Sequence, residues 1–234
     1  MKEQQQAFLD AGQPIISVDT KKKELIGNFA NRGQIWAKEP VRVNAHDFRS
    51  DAECIAAPYG VYDPKRNTGF VFVGTSSDTP EFSVDAICEW WRRNHRHYPG
   101  ARKLLILADS GGSNGCRPRL FKAMLQQRLA DHFGITVTIC HYPTGASKWN
   151  PVEHRLFGPI SNNWAGVPLT SLKLMVRLIR ETRNSSGLRV QATTTQRGYK
   201  TKQRVSNQVM KTLRILHHQA CPQWNYTISP RCQN

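Results

Sequence analysis

Short apolar runs separated by turn-forming segments organise the first part of the chain. A run that ends on Asp19 predicts a buried strand over residues 14–19. Two further runs, 57–63 and 68–77, are rich in β-branched and aromatic residues and meet at the turn-forming PKRNTG. This pattern predicts an antiparallel pair of strands after the first strand.

Helical and extended patterns alternate beyond this pair. A helix is predicted from Thr79, with Pro80 at its first position and a buried face made of Phe82, Ala86, Cys88, Trp90 and Trp91. The apolar run KLLILAD, residues 103–109, predicts a strand that is covered on both faces and ends on Asp109. After the Gly-rich SGGSNG, the pattern predicts a helix over 117–134, a strand over 135–142, and a third helix in NPVEHRLFGPI, residues 150–160.

This order of elements predicts an α/β fold. Three antiparallel strands followed by alternating helix and strand make a mixed five-stranded sheet with helices on both faces. We divide the chain into a lead-in (1–13), an α/β core (14–165) and a basic, helical C-terminal extension (166–234). Within the extension we predict helices over 170–183 and 205–217, separated by a polar loop or hairpin over 184–204.

The positive charge is concentrated in the C-terminal part of the chain. The formal net charge is +16, and residues 154–234 hold 13 Lys and Arg against one Asp or Glu, whereas residues 1–153 hold 20 against 16. Such a basic segment attracts the phosphate backbone of nucleic acids. A ribosome-associated segment, a membrane-surface segment and a solvated tail are the alternatives.

Cysteine usage and hydropathy indicate a cytoplasmic protein. The cysteines have neither a C-x-x-C pair nor zinc-finger spacing, and we predict reduced thiols at Cys54, Cys88, Cys116, Cys140, Cys221 and Cys232. The N-terminus lacks the apolar region of a signal peptide, and no apolar stretch is long enough to cross a membrane. We therefore expect no membrane partner.

Three carboxylates stand where predicted elements begin or end. Asp19 and Asp109 close two strands, and Glu153 lies in the first turn of the third helix. If these acids converge, they repel one another unless cations neutralise them, and hard oxygen ligands suit Mg²⁺ or Mn²⁺. Two such ions support in-line displacement at phosphorus, which means phosphodiester cleavage or strand transfer.

Each acid also has a purely structural interpretation. Asp19 can end its strand and pair with the lysines that follow it, and Asp109 can be a turn acid. The sequence GGSNG can form a phosphate-binding nest, although it lacks the Lys-Ser/Thr of a P-loop. In NPVE, Asn150 can cap the helix while Glu153 reaches back to the Asn150 amide, as in a capping box.

Several blocks of the chain resemble one known family. The segments SVDTKKKELIGNF, VNAHDF, PYGVYD, LLILADSGGSNG, CHYPTGASKWNPVEHRLF and WNYTISP are similar, in this order, to the ISAzo-type insertion-sequence DDE transposases. The NPVEH block is also similar to the NPIEH block of Tc/mariner-like transposases. The resemblance implies an RNase H-like catalytic core over residues 14–165, and it spans nearly the whole chain.

The resemblance also implies a function and its residues. Asp19, Asp109 and Glu153 correspond to the metal-binding catalytic triad, which holds two Mg²⁺, with Mn²⁺ as a substitute. The expected activity is metal-dependent DNA cleavage and strand transfer in transposition, carried out in the nucleoid by a DNA-bound homo-oligomer. We expect DNA phosphates to be bound by Lys21, Lys22, Lys148, Arg155, Lys173, Arg177, Arg180 and Arg204.

One departure from the family pattern leaves alternatives open. Only 18 residues precede Asp19, so we expect this chain to lack the N-terminal DNA-binding region of the family. A truncated, catalytically inactive DNA-binding remnant is the first alternative function. A general RNase H-like nuclease is the second.

Overall fold

The computed structural model of the protein describes residues 1–231 and contains one large mixed sheet. Its strands are β1 (Ile15–Thr20), β2 (Glu24–Ile26), β3 (Cys54–Asp63), β4 (Thr68–Gly74), β5 (Lys103–Asp109), β6 (Thr136–Tyr142), β7 (Arg189–Thr195), β8 (Ile215–His217) and β9 (Asn225–Ile228). Its α-helices are α1 (Lys2–Asp10), α2 (Pro80–Asn94), α3 (Arg119–Met124), α4 (Gly158–Asn163), α5 (Leu172–Glu181) and α6 (Asn207–Lys211). Two π-helical segments accompany them: Leu125–Asp131 extends α3, and Glu153–Phe157 leads into α4.

The five predicted strands form the centre of the sheet in the order β4-β3-β1-β5-β6. β3 is antiparallel to both β1 and β4, whereas β5 is parallel to both β1 and β6. Three antiparallel strands followed by two parallel ones is the RNase H-like arrangement, so the predicted fold class is confirmed. Strands β1, β4, β5 and β6 all end on the same side, which we call the carboxyl end of the sheet.

Helices cover both faces of this sheet. On one face, the back face, α2 and α3 pack on β1, β3 and β5 through a cluster that includes Ile16, Val61, Trp90, Ile106 and Phe121. The opposite, front face carries the segment from residue 151 to α4, together with α5 and α1. Successive residues of a strand point to opposite faces, and Ile15 and Leu105 accordingly lie in the front clusters while Ile16 and Ile106 lie at the back.

The local signals for the helix boundaries also hold. The Thr79 hydroxyl accepts the Phe82 N–H at 3.3 Å, and Pro80 occupies the first turn of α2. All five side chains predicted for its buried face are buried. Gly134 has a φ of +65°, the left-handed conformation that ends a helix.

The C-terminal extension differs from its prediction. Residues 184–204 contain β7, which pairs in parallel with β4 and extends the sheet on that edge. The predicted helix over 205–217 is wrong beyond α6, because residues 215–217 form β8, and the tail forms β9 against β6. The lead-in contains α1. The sequence does not predict β7 because its Thr and Gln residues suit an edge strand as readily as a loop, and β8 and β9 are only three and four residues long.

The structure also shows the state of the cysteines and the length of the helices. Within residues 1–231, free thiols are found at Cys54, Cys88, Cys116, Cys140 and Cys221. Cys232 lies outside the described residues. No helix in the described part of the chain is long and apolar enough to cross a membrane.

The contact between β3 and the segment that carries Glu153 leads to a first prediction. A Cβ added to Gly60 would collide with the Phe157 ring and approach Val152 Cγ2 at 3.1 Å, so the segment has no room to stay in place. We expect Gly60→Ala to lower the free energy of unfolding by about 1–3 kcal/mol, the usual cost of overpacking. Urea denaturation measures this change.

Gly198→Ala is the matched control, because a Cβ there meets nothing within 4 Å. Equal stability of the two variants would contradict close packing of this segment on β3.

Candidate active site at the carboxyl end of the sheet

The alternation along β1 and β5 brings two of the predicted acids together. Val18 pairs with Ala108 in the parallel ladder, so Asp19 and Asp109 follow at equivalent positions of neighbouring strands. Both residues lie on the front face, because Asp109 pairs with Tyr142 of a front cluster and Asp19 pairs with Gly60 beneath Phe157. They line one groove of about 320 Å³ together with Ser110, Gly111, Gly112, Pro143, Thr144 and Gly145.

The third acid comes from the segment that follows β6. Glu153 begins the π-helical segment on the front face and is partly buried. Its carboxyl group lies close enough to Asp19 to raise the pKa of that residue. The chain therefore brings Glu153 to Asp19 across a sequence separation of more than a hundred residues.

A buried amide fixes the geometry of these elements. The Asn150 side chain is fully buried, and its amide nitrogen donates to Asp109 Oδ1 at 3.0 Å and to the Val18 carbonyl at 3.5 Å. Its Oδ1 accepts a hydrogen bond from the Ser17 hydroxyl. One side chain thus joins β1, β5 and the start of the Glu153 segment.

This arrangement differs from the capping box that the sequence favours. The Asn150 side chain is turned toward the sheet instead of the helix, and the N–H of Val152 is bound by the Ser17 hydroxyl at 3.2 Å. Ser17 therefore caps the segment from a neighbouring strand. The Glu153 carboxyl group lies near Asp19.

The Gly-rich loop after Asp109 is packed tightly. A Cβ on Gly115 would lie 2.7 Å from the Ser110 carbonyl oxygen, so only glycine allows this close approach of the backbone. The Ser113 and Ser83 hydroxyls are 2.6 Å apart and connect the loop to α2. His141 contacts the Asn114 carbonyl through Nε2 at 3.0 Å and the Trp224 carbonyl through Nδ1 at 2.9 Å.

Burial raises the pKa of both aspartates in the site, and neighbouring acids add to the rise at Asp19. The pKa of Asp19 is raised from 3.8 to about 8, mostly by burial, then by the charge of Asp109 and by the nearby Glu153 carboxyl group. The Thr20 N–H, which donates to Asp19 at 2.7 Å, opposes this rise. Burial also raises the pKa of Asp109, while the hydrogen bond from Asn150 lowers it. A proton thus neutralises Asp19 at neutral pH, where a cation would do the same.

The donor atoms fit a hard divalent cation. Asp19, Asp109 and Glu153 offer carboxylate oxygens, the ligands that Mg²⁺ prefers. A cation would stabilise the charged form of Asp19, which burial and the neighbouring acids disfavour. In residues 1–231, no three Asp, Glu, His or Cys side chains stand close enough to hold a metal ion as they are placed. The acids would have to turn toward one another to share an ion.

The cations predicted to bind DNA lie in different environments. Lys21 pairs with Glu24 at 2.6 Å and lies over the Trp164 ring, with only 12% of its side chain exposed. Arg180 donates twice to the Ala192 carbonyl of β7. The remaining six are exposed: Lys22, Lys148, Arg155, Lys173, Arg177 and Arg204.

Sequence reasoning missed Ser17, and it missed the contact between Asn150 and Asp109. A signal for Ser17 was present, because a hydroxyl in the middle of the apolar run IISV is buried and has to find a partner. No comparable signal shows that Asn150 turns away from its helix.

The comparison with known proteins decides the family. A family model described as the Rhodopirellula transposase DDE domain matches residues 1–230. The chain belongs to this family of transposase DDE domains. The predicted resemblance to DDE transposases is thereby confirmed.

Two solved structures resemble this transposase domain. The Mos1 transposase paired-end complex with the left transposon end is 13% identical, with a TM-score of 0.49 over 74% of this chain and 48% of that one. The Mos1 mariner paired-end complex with Mn is 14% identical, with a TM-score of 0.45 over 72% and 52%. The transposase domain spans about half the length of these two chains. No curated protein matches it.

The buried Asn150 leads to a second prediction. Asn150→Ala in the transposase domain removes the partner of three groups, the Ser17 hydroxyl, the Val18 carbonyl and the Asp109 carboxylate. Because buried polar groups without partners are costly, we expect unfolding free energy to fall by about 2–3 kcal/mol. Asn162→Ala, at an exposed position, is the control. A loss of less than about 0.5 kcal/mol would contradict the role of Asn150.

The raised pKa of Asp19 leads to a third prediction, which concerns the pH dependence of stability. Between the unfolded value of 3.8 and the folded value of about 8, the unfolded chain releases a proton that the folded chain keeps. Stability from this group therefore falls as the pH rises through that window. Asp19→Asn removes this loss of stability. In EDTA, the free energy of unfolding of the variant should exceed that of the parent by at least about 1 kcal/mol at pH 8 and by less at pH 5.

Urea denaturation at the two pH values measures the difference. Asp10→Asn, which changes an exposed acid, should follow the parent at both. Parallel pH profiles for Asp19→Asn and the parent would show that Asp19 ionises normally.

Proposed function

We propose that this transposase domain cleaves DNA strands at transposon ends and joins the freed 3′ ends to target DNA. The observation that carries the proposal is the convergence of acids from β1, β5 and the segment after β6 at the carboxyl end of an RNase H-like sheet. Asp19 and Asp109 line one groove, and Glu153 lies close enough to Asp19 to raise its pKa. Membership of a DDE transposase family implies the use of a divalent metal ion.

In this proposal Asp19, Asp109 and Glu153 hold two Mg²⁺, with Mn²⁺ as a substitute. When bound, such ions activate a water or a 3′-hydroxyl and stabilise the leaving oxygen at phosphorus. The residues of the chain prepare the site for them. Asn150 holds one oxygen of Asp109 through its amide, and Ser17 fixes the start of the Glu153 segment against β1.

The groove is open to a large substrate. Of the groove residues, Gly111, Gly112, Pro143, Thr144 and Gly145 are exposed. These small, exposed residues leave room for a DNA strand to approach the acids from the carboxyl end. Exposed Lys148 and Arg155, on either side of Glu153 in sequence, are suited to contact phosphates there. The substrate in the cell would be chromosomal DNA, bound by a homo-oligomer in the nucleoid.

Nicking of supercoiled plasmid in Mg²⁺ or Mn²⁺ tests the proposal. We expect Asp19→Asn, Asp109→Asn and Glu153→Gln each to reduce nicking by about 100-fold or more, the upper range for damage to the surroundings of a metal site. We also expect Mn²⁺ to raise the melting temperature of the parent and of none of these variants. Asp10→Asn and Glu53→Gln, both at exposed positions, are the matched controls.

Other outcomes would identify the alternatives. Salt-sensitive DNA binding without nicking and without any effect of Mn²⁺ would identify an inactive remnant. Faster cleavage of an RNA·DNA hybrid than of duplex DNA would identify an RNase H-like nuclease. Full nicking activity in all three acid variants would overturn the site assignment.

A further inference from the structure

A segment of irregular structure crosses the carboxyl end of the sheet on its back face. We call residues 196–205 the strap. It begins directly after β7, which ends beside β4 at the register pair of Gly74 with Thr195. Because β4 and β7 run in the same direction as β1 and β5, the strap lies at the same end of the sheet as Asp19 and Asp109.

Two acids of α2 hold the strap in place. Arg197 donates to Glu81 at 2.6 Å and to Asp85 at 2.9 Å, and Arg128 donates to both acids as well. The Tyr199 hydroxyl donates to Asp85 at 3.0 Å, and its ring lies 5.2 Å from that of Phe82, centroid to centroid. Only 6% of Tyr199 is exposed. The strap is therefore ordered by ion pairs and packing although it contains no helix or strand.

The anchoring leaves the other cations of the strap without acids. Glu81 and Asp85 are each bound by two arginines. Lys200, Lys202 and Arg204 are exposed and form no ion pair within residues 1–231.

A fourth cation meets the strap from α3. Arg119 is held beside the strap by the Val205 carbonyl at 3.4 Å and by Asn207 Oδ1 at 2.7 Å, both of them neutral partners. These four cations surround one cavity of about 400 Å³, which is also lined by Thr79, Pro80, Pro118, Leu120, Gln203 and Val205.

The backbone at Lys202 favours a functional reason for its charge. Lys202 has a φ of +57°, the left-handed conformation that glycine or asparagine adopts more easily than lysine. A lysine at this position carries an energetic cost and contributes neither burial nor an ion pair. Lys202 is exposed on the lining of the cavity.

From these observations we propose that the strap and Arg119 form a binding site for the phosphate backbone of DNA on the side of the sheet opposite the acids. Four cations that form no ion pair surround one concave site and can bind successive phosphates of a DNA strand. Arg119 is held by two neutral partners, so its charge is available to a phosphate. The inference rests on the proposed function, because it takes the substrate to be DNA.

The Gly-rich loop connects this site to the acids. The loop follows Asp109, lines the acid groove through Ser110, and hydrogen-bonds to α2 through Ser113. α2 in turn begins at Thr79 and Pro80 on the wall of the cationic cavity. A DNA strand that leaves the acid groove over this loop would reach the strap next. The strap would then hold the DNA on one side of the cleavage position.

Charge removal at two ends of the sheet tests the inference. The variant Lys200→Gln/Lys202→Gln/Arg204→Gln removes three charges from the cavity. The control Lys65→Gln/Arg96→Gln/Lys103→Gln removes three exposed charges at the opposite end, near the start of β4 and β5. Neither variant touches the acids or the anchoring ion pairs, and melting temperatures establish that both fold.

Fluorescence anisotropy with a labelled random-sequence DNA duplex, in EDTA and over a series of NaCl concentrations, measures binding without cleavage. Each phosphate contact contributes about 0.9 to the magnitude of the slope of log affinity against log salt concentration. We therefore expect this magnitude to be about 2–3 smaller in the strap variant than in the parent. The control should keep the parent slope. Lys200→Arg/Lys202→Arg should also keep it, because the charges remain.

The outcomes separate the two proposals. A salt slope in the strap variant equal to that of the control would overturn the strap site and leave the proposed function standing. Absence of salt-sensitive DNA binding in the parent would overturn both. Tighter binding of a single-stranded RNA than of DNA, lost in the strap variant, would assign the cavity to RNA and overturn the DNA site. Strap-dependent binding of inorganic phosphate with unchanged DNA binding would identify a site for free anions and overturn it equally.

Discussion

The site depends on the burial of one amide between two strands and a helix start. Asn150 contacts Ser17, Val18 and Asp109 at once, and it is fully buried. A polar side chain in that position is tolerated only when its hydrogen bonds are made, so the strands and the Glu153 segment have to be in their correct places together. The same interaction that permits burial of Asn150 therefore aligns the acids.

Around this contact, the structure accepts unfavourable electrostatics. Asp19, Asp109 and Glu153 are brought together in partly buried positions, and the pKa of Asp19 rises to about 8 as a result. Such a cluster costs stability in the absence of a cation, because the charged form of Asp19 is disfavoured. Burial of the apolar clusters on both faces of the sheet stabilises the fold and offsets this electrostatic cost.

The central fold was predictable because its signals are local and strong. The run KLLILAD can only be a strand buried on both faces, and Thr79 with Pro80 starts a helix by its own chemistry. The strands that flank the core were less accessible. β7 reads RVQATTT, a polar sequence that becomes a strand because β4 offers an unpaired edge, which is a tertiary effect.

Some features of the candidate site can likewise be predicted from the sequence, and others cannot. The positions of the three acids follow from strand ends and a helix start, which the sequence displays. The turning of Asn150 toward Asp109 depends on a contact between residues 41 positions apart, and the anchoring of Arg197 to Glu81 on one 116 positions apart. No pattern within a short window reports such pairs. For this reason the sequence predicts only a loop or hairpin where the ordered strap lies.

The C-terminal strands give the chain an unusual path. β7 adds to the sheet beside β4, and β9 with β8 adds to it at the far edge beside β6, so the chain crosses the whole width of the sheet between residues 195 and 215. Both additions pair with strands that are formed much earlier in the chain, and such non-local pairings slow folding because long loops must close first. On the ribosome, the edge of β4 would stay exposed until β7 emerges, and the edge of β6 until β9 emerges. The basic segment between them would then take its final shape after the strands that carry Asp19 and Asp109 have emerged.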